Sequence, residues 1–257
     1  MTYRCALITG ASSGIGEAFA RALPKSTSLL LTGRDRTRLT HLAAELANAD
    51  RTVRSIAADL ATAEGRQAVI GFALDQPIDL LINNAGVGYL GRVVDNPPER
   101  ESAMAQLNMV APVELTRALL PDLLKRAEGG RRSGVIFVAS VAAFMPIPLL
   151  ATYAASKAFL LHYAEALAEE LSDQPIDVLA LCPGATQTRF FERANVNRAN
   201  LPQLDDADRV ARQGLQALGH RVVHVMGPAT YLATTAARFL PRRFVTAAAE
   251  RAMRRWQ

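Results

Sequence analysis

Short apolar runs alternate with longer amphipathic stretches along most of the chain. The short runs have the length of strands and lie at Arg4–Thr9, Ser28–Thr32, Thr52–Ala57, Asp79–Asn83, Gly134–Ala139, Ile176–Leu181 and Arg221–Val225. The intervening stretches have helical periodicity and lie at Gly14–Leu23, Thr37–Asn48, Ala61–Leu74, Glu99–Arg126, Tyr153–Ser172 and Asp206–Leu218. Such alternation is typical of βαβ units. The pattern therefore predicts an α/β domain with a doubly wound parallel sheet of about seven strands and helices on both faces.

Composition narrows the class of protein. The 257 residues, half of them hydrophobic, suit a single domain with a large core. No apolar stretch approaches the length that spans a bilayer, the N-terminus lacks the pattern of a signal peptide, and Cys5 and Cys182 do not suggest a disulfide framework. We therefore expect a cytoplasmic protein. The net charge of +5 comes mainly from scattered arginines, so we interpret it as solvated surface and expect no nucleic-acid partner.

A glycine-rich turn joins the first strand to the first helix. Its spacing is Gly-x-x-x-Gly-x-Gly, and its candidate phosphate contacts are Gly10, Ser12, Ser13, Gly14, Ile15 and Gly16. Glycine lets the backbone turn sharply and approach a pyrophosphate, while the helix N-terminus offers free N–H groups and the positive end of its dipole. In this position the turn predicts a dinucleotide site, and a plain strand–helix turn is the alternative interpretation.

The residues after the second strand bear on the choice of nicotinamide cofactor. An acidic residue near this place binds the ribose 2′-OH of NAD, whereas an arginine accommodates the 2′-phosphate of NADP. Arg34 comes first and Asp35 follows it. The order favours NADP(H), with NAD(H) possible. In the alternative interpretation, Arg34 is a solvated loop residue and Asp35 caps the next helix.

Three further residues suggest proton-transfer chemistry. Tyr153 and Lys157 are four residues apart on one helical face, and a nearby cation lowers the pKa of a phenol. A tyrosine tuned in this way exchanges a proton with an alcohol near neutral pH. Ser140 ends the fifth strand, where its hydroxyl can donate to a substrate carbonyl. It lacks a Gly-x-Ser-x-Gly setting and a suitable histidine–acid pair, so the sequence does not indicate a hydrolase. Singly, each residue has an ordinary structural explanation.

These features together resemble the short-chain dehydrogenase/reductase family over nearly the whole chain, up to about Val225. Thr9-Gly10-x-x-x-Gly14-Ile15-Gly16 looks like its cofactor turn, and Asn83-Asn84-Ala85-Gly86 like the motif that ends its fourth strand. The resemblance implies a Rossmann-type fold. It also implies cofactor contacts after the third, fourth and sixth strands and on the catalytic helix, at Asp59, Leu60, Asn84, Ala85, Gly86, Tyr153, Lys157, Pro183, Gly184, Thr186 and Thr188.

Asn108, Ser140, Tyr153 and Lys157 match the family's catalytic tetrad in order and approximate spacing. The resemblance implies that Tyr153 is the general acid/base and that Ser140 orients the carbonyl. Lys157 would bind the nicotinamide ribose and lower the pKa of Tyr153. Asn108 would support a water linked to Lys157 in a proton relay; a polar residue that kinks its helix is the compatible structural interpretation.

The resemblance extends to cofactor choice and assembly. Thr188 would bind the carboxamide and Arg34 the 2′-phosphate. Many NADP-preferring members carry a basic residue at the position of Ser13, so the expected preference depends on Arg34 alone. Family members commonly pair through the helices that correspond to Glu99–Arg126 and Tyr153–Ser172, which implies a homodimer or homotetramer. We assign no metal ligands.

We therefore predict an NADP(H)-dependent oxidoreductase that interconverts a carbonyl, a ketone or aldehyde, and an alcohol by hydride transfer. The cleft should be lined from Phe144–Leu150 and from Phe190-Phe191, which predicts an apolar substrate. The irregular segment at residues 190–205 is the predicted substrate loop, which we expect to close over the cleft. Two alternatives are a non-catalytic NADP(H)-binding regulator of the same fold and a peripheral membrane adaptor.

Residues 229–257 are predicted to form a C-terminal extension of two helices, Tyr231–Phe239 and Phe244–Trp256, separated by Pro241-Arg242-Arg243. In one interpretation the helices pack on the body and cover the substrate cleft or a subunit contact. In the other they form a basic amphipathic element that touches an anionic membrane.

Overall fold

The computed structural model describes residues 3–127, 131–194, 204–237 and 239–254. Seven strands form one sheet in the order β3-β2-β1-β4-β5-β6-β7, and all neighbouring pairs are parallel. The strands are β1 Cys5–Thr9, β2 Ser28–Gly33, β3 Val53–Ala57, β4 Leu80–Asn83, β5 Ser133–Val138, β6 Ile176–Cys182 and β7 Val223–Val225. The predicted sheet is confirmed, and each predicted strand lies at its predicted place.

Helices cover both faces of the sheet, as the pattern predicts. They are α1 Gly14–Ala22, α2 Arg36–Leu46, α3 Ala63–Leu74, α4 Pro98–Ala105, α5 Ala111–Arg126, α6 Ala151–Glu170, α7 Phe190–Arg193, α8 Ala207–Ala217, α9 Pro228–Ala237 and α10 Arg242–Arg254. Helices α1, α2 and α8 pack on one face, while α3 to α6 pack on the other. This is the doubly wound Rossmann-type arrangement.

Alternate residues of the central strands enter opposite cores, which explains why the strand sequences are apolar throughout. In β1, Cys5 and Leu7 belong to one core, whereas Ala6 and Ile8 belong to the other. Side chains of successive strand residues point to opposite faces, and here both faces are buried. Because all neighbouring strands are parallel, the carboxyl ends of the strands lie at one edge of the sheet. The order of connections reverses between β1 and β4. A ligand crevice is expected at that edge.

The predicted helix Glu99–Arg126 is interrupted. A π-helical turn at Gln106–Val110 separates α4 from α5. Pro112 has no backbone N–H, so the carbonyl of Asn108 cannot accept the usual bond from the residue four positions later. Asn108 is fully buried and lies within this irregular turn. Its position agrees with the interpretation of Asn108 as a polar residue at a helix kink.

The predicted substrate loop is described only at its two ends. It begins as α7, and residues 195–203 lie outside the described residues. At its far end, the Asp205 carbonyl accepts from the Gln187 N–H at 2.8 Å, and the Asp205 N–H donates to the Ala185 carbonyl at 2.8 Å. The loop therefore leaves and returns beside the segment that follows β6.

Candidate active site

A cavity of about 590 Å³ opens at the carboxyl edge of the sheet. Three residues of the predicted tetrad line it, namely Ser140, Tyr153 and Lys157. All the predicted cofactor contacts except Gly16 line it as well: Gly10, Ser12, Ser13, Gly14, Ile15, Arg34, Asp59, Leu60, Asn84, Ala85, Gly86, Pro183, Gly184, Thr186 and Thr188. The fold thus brings the predicted cofactor turn and the predicted proton-transfer residues to one crevice.

The glycine turn leaves space along one wall of this cavity. Gly10 and Gly14 have φ values of +67° and +61°, in the left-handed region that favours glycine. A Cβ at Gly14 would lie 2.8 Å from Cγ2 of Thr188. Ser13 is the N-cap of α1, and its side chain makes no capping bond to the helix. The first turn of α1 therefore has backbone N–H groups for an anion.

Gly16 lies behind the turn and does not line the cavity. A Cβ there would run into the Gly10 carbonyl and the Asn84 side chain. Asn84 Nδ2 donates to the Thr9 carbonyl at 2.8 Å, and Thr9 Oγ1 accepts from the N–H groups of Asn84 and Ala85, each at 2.9 Å. Gly16 thus allows close packing of α1, while Thr9, which the sequence analysis did not assign a role, joins the ends of β1 and β4.

Arg34 is exposed at the rim of the cavity, immediately after β2. Asp35 follows it and caps α2, since its carboxylate accepts from the Arg38 N–H at 3.0 Å. The same carboxylate lies 3.5 Å from the Arg38 guanidinium. The capping role considered for Asp35 is therefore confirmed, and it leaves Arg34 as the cation that faces the crevice from this turn.

The proton-transfer residues come from two elements. Ser140 follows β5 and opens a short 3₁₀ turn, Val141–Phe144, in which its hydroxyl accepts from the Ala142 N–H at 3.1 Å. Ser140 and Tyr153 both line the cavity, and the Ser140 side chain lowers the pKa of the Tyr153 phenol. Lys157, one turn further along α6, donates from Nζ to the Val138 carbonyl at 2.8 Å and lies 5.8 Å from the centroid of the Tyr153 ring. A phenol, a hydroxyl and an ammonium group therefore meet beside the glycine turn.

Residues 4–199 match the sequence profile of a family described as short chain dehydrogenase. This chain belongs to the short-chain dehydrogenase family. Proteins of the family are oxidoreductases that act on alcohol and carbonyl groups. The matched range contains the glycine turn and all four residues of the predicted tetrad.

Two relatives of similar sequence identity differ in how much of each protein the similarity covers. The chain is 32% identical over 221 residues to oxidoreductase UcpA of Salmonella typhimurium, covering 85% of this chain and 81% of that protein. It is 33% identical over 192 residues to a short chain dehydrogenase of Pseudocercospora fijiensis, covering 73% of this chain but only 61% of that protein.

Solved structures are similar over almost the whole chain. A Sphingobium yanoikuyae short-chain dehydrogenase in complex with NADPH superposes with a TM-score of 0.82 and 31% identity, covering 92% of this chain and 93% of that one. A Comamonas testosteroni alcohol dehydrogenase specific for bulky-bulky ketones gives 0.77 and 28%, with 93% of each chain covered. A Brucella melitensis 3-ketoacyl-(acyl-carrier-protein) reductase complexed with NADH gives 0.77 and 28%, covering 87% and 96%.

The sequence predicts a lowered pKa for Tyr153, and in the folded chain this prediction is wrong. Burial raises the pKa of Tyr153 to about 12, and the neighbouring Ser140 side chain opposes that rise only in part. Burial also lowers the pKa of Lys157 to about 8. The neighbouring charge alone would lower the pKa of Tyr153, whereas desolvation of both groups disfavours their charged forms.

Asn108 lies behind the cavity instead of lining it. Its Nδ2 donates to the Val87 carbonyl at 2.9 Å and to Ser156 Oγ at 3.0 Å, and its Oδ1 accepts from the Val87 N–H at 3.0 Å. The Ser156 hydroxyl donates to the Tyr153 carbonyl at 2.7 Å. The Asn108 amide thus fastens the loop after β4 to α6 within one turn of Tyr153, and Val87 and Ser156 are partners that the sequence analysis missed.

Two further residues reach the site from distant parts of the chain. The ring of Phe190 in α7 lies 5.2 Å from that of Tyr153, and a Cβ at Gly88 would lie 2.6 Å from Phe190 Cζ. Met253, in α10, is 7% exposed and lines the cavity. Phe190 was among the predicted lining residues, but nothing in the local sequence indicated Gly88 or Met253.

Proposed function

We propose that this short-chain dehydrogenase interconverts an apolar ketone or aldehyde and the corresponding alcohol, with NADP(H) as the cofactor and Tyr153 as the general acid/base. The observation that carries the proposal is the meeting of Ser140, Tyr153 and Lys157 in the cavity whose other wall is the glycine turn. The glycine wall suits a dinucleotide, because the positive φ values of Gly10 and Gly14 turn the backbone sharply at the N-terminus of α1, where N–H groups are free for phosphate.

Each side chain has one task in this proposal. The nicotinamide, when bound, supplies or accepts the hydride. In reduction, the Tyr153 hydroxyl gives its proton to the substrate oxygen, while the Ser140 hydroxyl donates a hydrogen bond to the same oxygen. Lys157, with a pKa of about 8, is mostly cationic at neutral pH and stabilises the phenolate that Tyr153 leaves behind. Oxidation runs the same proton transfer in reverse.

The walls of the cavity support an apolar substrate. Beyond the cofactor turn, several apolar side chains line it, namely Met145, Ile147, Leu150, Phe190, Phe191 and Met253. Of the predicted stretch Phe144–Leu150, Phe144 and Pro146 are outside this lining, and Pro148 and Leu149 border a separate depression instead. The similarity to the bulky-bulky ketone enzyme of Comamonas testosteroni agrees with a substrate of this kind.

A panel of carbonyl compounds, followed by NADPH consumption, tests the substrate class. We expect turnover of apolar ketones and aldehydes and little turnover of small polar sugars of similar size. Activity confined to the sugars would contradict the apolar assignment. Absence of turnover with the whole panel would favour the non-catalytic regulator instead.

The preference for NADP(H) rests on Arg34, since the Asp35 carboxylate is engaged with the N-terminus of α2. The Sphingobium enzyme carries NADPH and the Brucella enzyme NADH, so relatives of this fold use either cofactor. We expect Arg34→Ala to weaken NADPH binding about tenfold and NADH binding little. Arg36→Ala, an exposed arginine outside the cavity lining, is the matched control. An unchanged preference for NADPH in Arg34→Ala would remove this role.

We propose that the protein forms a homodimer or homotetramer through the outer faces of α4, α5 and α6. Light scattering would measure the oligomeric state.

We also propose that the protein is cytoplasmic. Within the described ranges, none of the helices has both the length and the apolar character required to cross a bilayer.

A further inference from the structure

The two C-terminal helices and the turn between them expose a group of large apolar side chains. Five of the ten large hydrophobic residues that are exposed in the described part of the chain fall within residues 231–244. We call these five the C-terminal patch: Tyr231 (59% exposed), Leu232 (69%), Phe239 (86%), Leu240 (56%) and Phe244 (58%). Single exposed apolar residues are ordinary, but a concentration of them marks an interaction surface.

The charged residues next to the patch in the sequence all have one sign. From Gly227 to Ala249 the sequence contains Arg238, Arg242 and Arg243 but no aspartate, glutamate or lysine. Arg242 and Arg243 are exposed, and the Arg243 guanidinium lies 4.8 Å from the centroid of the Phe244 ring. Aromatic and leucine side chains beside arginines suit the boundary between lipid headgroups and acyl chains.

Each of the two helices beside the patch has a buried side chain. Thr234, in the middle of α9, is 3% exposed, and its hydroxyl donates to the Tyr231 carbonyl at 3.0 Å. Met253, near the end of α10, is 7% exposed and lines the substrate cavity. Phe239 and Leu240 therefore lie in the turn between two helices that each have a buried side chain, and α10, which contributes Met253 to the cavity lining, carries the exposed Phe244 in its first turn.

The charge pattern also argues against a second copy of the chain as the occupant. An association of two patches would bring the arginines of both copies together without an acidic residue in the segment to neutralise them, and like charges at an interface are unfavourable. An anionic bilayer supplies both the negative charge for the arginines and the apolar depth for the side chains.

We propose that the C-terminal patch docks this dehydrogenase on an anionic lipid surface. Phe239, Leu240 and Phe244 enter the headgroup region, while Arg242 and Arg243 pair with lipid phosphates. The contact is peripheral and leaves the described fold as it is. This inference goes beyond the proposed reaction and does not depend on the identity of the substrate.

Co-sedimentation with vesicles tests the proposal on the full chain. We expect binding to vesicles of phosphatidylcholine mixed with phosphatidylserine, weak binding to phosphatidylcholine alone, and loss of binding as salt is raised. Phe239→Ser/Phe244→Ser and, separately, Arg242→Gln/Arg243→Gln should each weaken vesicle affinity at least about tenfold. Leu74→Ser/Val94→Ser, which alters residues 44% and 76% exposed elsewhere, should bind as the wild type does.

Turnover of a water-soluble substrate without vesicles should be the same in all these variants, which shows that each is folded. Failure of the wild type to bind the mixed vesicles would overturn the proposal. So would equal binding by the patch variants and the control. If light scattering shows that the patch variants dissociate an oligomer while vesicle affinity is unchanged, the occupant is a second copy and the lipid proposal is wrong.

Discussion

Lys157 carries an ammonium group into surroundings where only 4% of the residue is exposed. Its single described hydrogen bond goes to the Val138 carbonyl, which satisfies one of its three donors. Burial therefore lowers the pKa of Lys157, just as burial raises that of Tyr153. At neutral pH the chain thus holds a protonated phenol beside a cation, which is the state that the reductive direction requires of Tyr153.

This environment makes stability depend on pH in a definite direction. The pKa of Lys157 falls from 10.5 to about 8 on folding, so between these values the unfolded chain binds more protons than the folded one. Stability contributed by this residue therefore rises with pH through that window. The Lys157→Met variant has no ammonium group to titrate at this position. The free energy of unfolding of the wild type minus that of the variant should therefore rise by about 3 kcal/mol as the pH is raised through this window.

Urea denaturation of both proteins at a series of pH values provides this difference. Cys5, which titrates in the same range and does not interact with Lys157, is present in both proteins and cancels in the subtraction. Cys182 interacts with Lys157, so both proteins should carry Cys182→Ala. A difference that stays constant with pH would mean that Lys157 has an ordinary pKa in the folded protein.

At the scale of elements, the alternation of strands and helices could be predicted because the strands are apolar on both faces and the helices carry one apolar side. The π turn could not be predicted from periodicity, since its extra residue shifts the pattern only locally. Pro112 inside the predicted helix Glu99–Arg126 was the available signal, because it removes a donor that the Asn108 carbonyl would otherwise use. The side-chain partners of Asn108 depend on contacts with Val87 and Ser156 across elements, which no local pattern encodes.

The packing of α7 against the loop after β4 leads to a prediction at Gly88. A Cβ there would lie 2.6 Å from Phe190 Cζ and 3.0 Å from Tyr153 Cδ2. Gly88→Ala should displace both rings and lower kcat/KM about ten- to hundredfold, since small displacements of reacting groups are costly. Gly71→Ala, where a Cβ meets no atom within 4 Å, should leave kcat/KM unchanged.

A double variant separates the two rings. If the clash with Phe190 dominates, Gly88→Ala/Phe190→Ala should recover part of the kcat/KM that Gly88→Ala loses, beyond the effect of Phe190→Ala alone. Equal activity of Gly88→Ala and wild type would show that this close approach does not position Tyr153.

At the scale of the whole molecule, the cavity combines the cofactor turn near the N-terminus with a side chain from the last helix. The sequence predicted two C-terminal helices and left open whether they cover the cleft. The structure places Met253 in the cavity lining, a contact across the full length of the chain that only the folded arrangement reveals. Residues 195–203, which belong to the predicted substrate loop, lie outside the described residues, so its expected closure stays a prediction.

Met253 gives α10 a measurable part in substrate selection. Met253→Ala should raise KM for a slender apolar ketone about fivefold, because the truncated side chain no longer packs against it, while kcat changes little. The same variant should accept bulkier ketones better than the wild type does. Arg251→Ala, an exposed residue on the same helix, should reproduce wild-type kinetics. Identical substrate profiles for Met253→Ala and wild type would exclude α10 from the substrate cleft.

The central claim is that Tyr153 transfers the proton, and Tyr153→Phe tests it most directly. The variant keeps the ring that packs on Phe190 and removes only the hydroxyl. Turnover of the best ketone from the panel and NADPH affinity should be measured for this variant and for Tyr163→Phe, its matched control on α6. Tyr153→Phe should lower kcat about a thousandfold with NADPH affinity nearly unchanged, while Tyr163→Phe should stay active. A Tyr153→Phe protein that turns over at a rate close to that of the wild type would contradict the role of Tyr153 in proton transfer.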